Sequence, residues 1–191
     1  FPYFHTEHQL PVMTQCYKHD RRLISGCECC NVDWKKIDKL GMPNSKEECP
    51  KCSTAVTSLE SFHDGDIAWL QETSLRLLNG DTPHFTLANL QRAYQEWLGI
   101  PYRSETKGVL SLTERKILND AQFKLDNHFD PRLYHAVFTN ADVDPNKKRS
   151  PNLSLFKATF KPELFLSPIV HLMIIRMMFG SIDTLHQSIN S

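Results

Sequence analysis

The chain carries no excess of either charge: 22 Lys and Arg stand against 22 Asp and Glu in 191 residues. A global field that would draw it onto a phosphate backbone is excluded, so any nucleic-acid contact must be local. A long hydrophobic run is also missing. The most apolar stretch, Leu164 to Gly180, has 17 residues broken by Pro168, His171 and Arg176. A membrane span needs about 20 predominantly apolar residues, so a buried helix is expected there. The opening "FPYFHTEHQL" has neither a basic n-region nor an apolar h-region, and it reads as the start of an excised or processed piece rather than a signal peptide. There is no His-Glu-x-x-His, no glycine-rich phosphate loop and no Gly-x-Ser-x-Gly, so no enzyme is expected. With 40% apolar and 23% charged residues, the composition is that of an ordinary folded protein.

What is present is sulfur in one place. Five of the six cysteines fall in "CECCNVDWKKIDKLGMPNSKEECPKC", residues 27 to 52. A disulfide framework needs an oxidising compartment, of which the sequence carries no sign. Metal explains the spacing better. Cys49 and Cys52 form a knuckle whose two thiolates can meet one tetrahedral ion, and Cys27 with Cys29 can supply the opposing pair, a zinc-ribbon pattern. Cys30 can replace Cys27 or Cys29 as a ligand, or stand by as a thiol. Cys16 and His19 form a second half-site with a two-residue gap. Either they join later cysteines in one mixed site, or they belong to a second ion. Four thiolate-rich ligands make a closed, structural shell, whose binding free energy folds a segment too small for its own core.

The remainder reads as helical. Residues 1–56 form the zinc-binding module, 57–140 a helical domain, 141–152 a loop, and 153–191 C-terminal helices packed on the helical domain. "DIAWLQETSLRLL" places Ile67, Leu70, Ser74, Leu75 and Leu78 on one face and stops at Asn79-Gly80. Thr86 caps a helix carrying Leu87, Leu90, Tyr94 and Leu98, which ends at Gly99. Ser111 and Glu114 have capping-box spacing ahead of Leu118, Ala121, Phe123 and Leu125. A short helix is expected at "PRLYHAVF". "NLSLFKATF" fits helix or strand equally. Ser167-Pro168 opens the most apolar helix, and "SIDTLHQSI" reads as one more. Lys147, Lys148 and Arg149 form the one compact basic cluster, in a loop, and are the candidate nucleic-acid contact. Arg115, Lys116, Lys124 and Arg132 add a basic tilt to the region after Arg103.

Two segments carry a family resemblance. Tyr3, Phe4 and His5, then His8 to Val12, Cys16 and His19, Leu23, Cys27 and Cys29 resemble the zinc-finger segment of the TniQ/TnsD family, target-selection proteins of Tn-seven-like bacterial transposons. Cys49 to Cys52 resembles that family's closing knuckle, and "PIVHLMIIRMMFGSIDTL" is similar to a helix of TnsD-type members. The chain departs from the pattern in lacking the glycine after Pro11, in Tyr17 for proline, and in Cys30 where glycine is common. The family's Cys-x-x-Cys pair ahead of the aromatic stretch has no counterpart here, so Cys16 and His19 look like half of a site. The resemblance implies a zinc-dependent, non-enzymatic adaptor, cytoplasmic and nucleoid-associated. Such an adaptor selects an attachment site on double-stranded DNA and recruits a TnsC-like AAA+ transposition regulator. The alternative is a protein-interaction scaffold that docks the ATPase or a CRISPR effector without touching DNA, with Trp34, Tyr102 or Tyr134 as anchors.

Overall fold

A computed structural model describes residues 65–103, 110–130, 133–134, 153–161 and 166–190. Within the first 64 residues it describes positions 13, 15–16, 21–23, 26–27, 29–30, 32–33, 48–49 and 51–55. The chain divides into two compact units, Phe1–Asp64 and Gly65–Ser191, and the described residues are mainly helical.

In the first unit, strands β1 (Gln15–Cys16) and β2 (Arg21–Arg22) pair antiparallel, as do β3 (Gly26–Cys27) and β4 (Val32–Asp33). Glu48 bridges Ala55 in the same sense. Two-residue pairings of this kind are far below the size at which a sheet holds itself together.

The second unit begins with α1 (Gly65–Asn79), which has Asp66 in its first turn and Arg76 in its last, complementing the helix dipole. It ends where Gly80 takes φ +75°. Gly80 N–H donates to Leu77 O and Asp81 N–H to Arg76 O, the paired bonds of a Schellman cap. Leu70 is fully buried on α1, whereas Leu78, expected beside it, is 50% exposed. Ile67 and Ser74, expected on the same face, are buried with Leu70, and Gln71 and Thr73 join them.

Helix α2 (Leu87–Trp97) opens on the predicted Thr86 cap. Asn89 N–H donates to Thr86 Oγ1 at 3.1 Å and Thr86 N–H to Asn89 Oδ1 at 3.2 Å. In α3 (Leu112–His128), Glu114 N–H donates to Ser111 Oγ at 3.2 Å and Ser111 N–H to Glu114 Oε2 at 2.8 Å. The Ser111 N–H holds the Glu114 carboxyl below its ordinary value, with Arg103 paired to it.

Where the pattern left helix and strand open, the chain forms α4 (Leu155–Phe160), capped by Ser154. Then follow α5 (Pro168–Phe179), with proline in its first turn, and α6 (Ile182–Asn190). Of the helix expected at "PRLYHAVF", only Leu133 and Tyr134 are described, and both are helical. The loop 141–152 lies outside the described residues.

Helix α2 packs on α4 and α6, α3 on α4 and α5, and α1 and α6 on α5. Val170, Met173 and Ile174 of α5, with Leu70 of α1, Leu125 of α3, Leu155 of α4 and Leu185 of α6, are fully or nearly fully buried, and each such side chain contributes about 1.5–3 kcal/mol. Tyr94 is buried in full, and its hydroxyl lies 3.2 Å from His171 Nδ1. Burial pushes the tyrosine up and the histidine down from their ordinary pKa values. No single described helix is long and apolar enough to cross a membrane.

Candidate metal centre

Each half of the site comes from a turn between paired residues. Cys27 ends β3, and Cys29 and Cys30 follow in the turn toward β4. Cys49 and Cys52 lie inside the bridge between Glu48 and Ala55. That second turn is closed by Cys49 N–H donating to Thr54 O at 2.9 Å and Ser53 N–H to Cys49 O at 2.8 Å. Ser53 holds φ +56°, the one non-glycine residue with positive φ among the described residues, so the turn costs backbone strain of about 1–2 kcal/mol.

The two turns bring Cys27, Cys30, Cys49 and Cys52 together, with all four Sγ atoms within 4.8 Å of one another. Cys27 lies 3.6 Å from Cys52, and Cys30 lies 3.7 Å from Cys49. None of the six cysteines is in a disulfide. A tetrahedral ion with metal–sulfur bonds of about 2.3 Å sets its sulfurs about 3.8 Å apart, so the four thiols have the dimensions of a metal shell. They could hold a metal ion.

Local hydrogen bonds prepare some of these thiols to ionise. Cys52 is pulled down to about 6, first by the side-chain hydroxyl of Thr54, 3.2 Å away, then by the Thr54 backbone N–H. Burial raises Cys49, but the N–H groups of Lys51 and Cys52 outweigh it and leave that thiol below its ordinary value. The Lys51 N–H donates to Cys49 Sγ at 3.4 Å. Cys27 runs the other way. The Cys30 N–H lowers it, yet burial and the adjacent thiols of Cys52 and Cys49 raise it further. Removing protons from four thiols this close requires a cation among them, because like charges at contact distance otherwise keep one another protonated.

The fourth thiol is therefore that of Cys30, which corrects the expectation of Cys29. Cys29 is exposed and is not in the group. The reason is geometric: Cys27 and Cys30 have the same two-residue gap as Cys49 and Cys52, and in each turn that gap points both sulfurs inward. The equal gap was visible in "CECC". Cys16 is buried in β1 and lies outside the four-thiol group, with contacts of its own. His19, Lys147, Lys148 and Arg149 lie outside the described residues, as do the residues before Met13 that carry part of the family resemblance.

No family model, curated protein or solved structure matches the chain. The site stands on its own geometry.

Proposed function

We propose that this chain is a target-selection protein of a bacterial transposon, of TniQ/TnsD type: a zinc-stabilised, DNA-binding adaptor that recruits a TnsC-like AAA+ regulator. The observation that carries the reading is the four-thiol group inside the segment whose motif order resembles that family. A tetrahedral all-sulfur shell suits zinc or iron. Zinc is favoured because it needs no electron-transfer partner and serves as a structural staple in segments of this size. A shell closed by four thiolates leaves no position for substrate, which supports a binding role over catalysis. The protein acts in the cytoplasm, on the nucleoid.

The second reading is a scaffold that docks a CRISPR effector or the ATPase without touching DNA. Zero net charge favours it. The deciding experiment is anisotropy of the zinc-loaded chain with a labelled duplex across a salt series, alongside metal analysis. Zinc at one per chain and salt-sensitive binding that survives competitor DNA are expected. Absence of binding at low salt would sink the DNA-binding reading in favour of the scaffold.

A further inference from the structure

Most described cations of the helical unit are already engaged. Arg76 pairs with Asp183, Arg103 with Glu114, and Arg176 with Asp66 beneath the Trp69 ring. Arg92 sits 5.0 Å over the Tyr102 ring, and Lys157 and Lys161 have contacts of their own. Three remain. Among the described residues, the side chains of Arg115, Lys116 and Lys124 make no ion pair, hydrogen bond or ring contact, and all three are exposed on α3.

Their arrangement on that helix follows from its pitch of 3.6 residues per turn. Nine residues, or two and a half turns, separate Arg115 from Lys124, which places them on opposite margins of the exposed face. Leu112, Lys116, Asn119 and Phe123 form the stripe between them, and Asp120 is the one acidic residue exposed on the helix. Leu112 is 84% exposed and Phe123 66%. The sequence pattern put Phe123 with the core. Its neighbours Gln122 and Leu125 are the residues that turn inward.

We infer that this face of α3 enters the major groove of duplex DNA. Arg115 and Lys124 then reach phosphates on opposite walls, and Lys116, Asn119 and Phe123 face the base edges. The inference rests on the DNA-binding reading above and names the surface that performs it. A helix of 17 residues is about 25 Å long, and a groove about 12 Å wide admits it. Cations on both margins match a cleft with anionic walls on both sides, whereas an acidic peptide laid along the helix would need them on one. Asn and Lys are side chains that read purine edges, and an aromatic ring suits a thymine methyl.

The test is anisotropy of the full zinc-loaded chain with a fluorescein-labelled duplex of mixed sequence, over a salt series. Arg115→Ala combined with Lys124→Ala removes two phosphate contacts, so the slope of log affinity against log salt should become shallower by about 1.8, with binding roughly tenfold weaker or more. Asn119→Ala should leave that slope intact and alter the preference among duplex sequences. Both variants replace exposed side chains, so unchanged melting confirms the fold. An unchanged slope in the double variant, with the wild type binding, overturns the inference and leaves the DNA-binding reading standing. A wild type that binds no duplex overturns both. Loss of binding to an acidic amphipathic peptide, with duplex binding intact, assigns the face to a protein partner and overturns the inference.

Discussion

Replacing Cys30 by serine and, separately, Cys29 by serine tests the metal centre at its most specific point. Structural zinc sites of this kind bind with about 10–16 kcal/mol of apparent free energy. One thiolate in four therefore carries about 3 kcal/mol, on the order of a hundredfold in metal affinity. Cys30→Ser also takes the partner 3.7 Å from Cys49 out of the group. Cys29 is exposed in the turn, where substitutions ordinarily change stability by no more than about 0.5 kcal/mol. Titration with a chromogenic chelator reads metal affinity directly, and cobalt in place of zinc gives a sulfur charge-transfer band that weakens as thiolates are lost. Cys30→Ser should give up its metal to far less chelator and show a weaker cobalt band, while Cys29→Ser should match the wild type. The reverse pattern would refute the assignment and return the site to Cys27, Cys29, Cys49 and Cys52.

Two further outcomes follow from the same structure, and a third from the sequence. Ser53→Gly relieves the left-handed residue at φ +56° and should raise metal affinity or melting stability by up to about 1 kcal/mol; a loss would show that the Ser53 side chain is needed. Burial lowers the folded pKa of His171 below its ordinary value of about 6.5. The unfolded chain therefore takes up the proton first, and stability present above that value is lost as pH falls through it. Melting of the second unit should drop on acidification, and His171→Asn should flatten the dependence; equal slopes would assign the effect to another group. Lys147→Ala with Lys148→Ala and Arg149→Ala should lower duplex affinity and flatten its salt slope, and unchanged binding would reduce that run to a solvated loop.

How far the sequence carried depends on how local each signal is. Thr86 and Ser111 were legible as caps because a cap is completed within three residues, by Asn89 and Glu114. Gly80 and Gly99 marked helix ends for the same reason. The metal group was legible as a set of sulfurs, but the choice of Cys30 over Cys29 depends on how a turn points its side chains. Leu78 fits the apolar period and still faces solvent, whereas Phe123, grouped with Leu118, Ala121 and Leu125 by its apolar character, falls on the opposite side of the helix from them. Gln91 and Gln95 break that period and are buried, since the packing partners that decide burial come from elsewhere in the chain. Helix α4 was undecidable from "NLSLFKATF" because six residues fix neither period.

Those six residues owe their helix to two glutamines. Gln122 accepts from Leu155 N–H at 2.8 Å and donates to Leu153 O at 3.1 Å, gripping the entrance of α4. Gln95 donates to Thr159 O at 3.2 Å near its exit, and the same side chain holds Arg103 by both backbone groups. A single turn and a half is too short to persist alone in water. In the order of folding α4 should therefore arrive late, cast against α2 and α3 once they stand. Its amide protons should exchange with solvent ahead of theirs, and a glutamate at position 95 or 122, which accepts but cannot donate when ionised, would leave the mould without its casting.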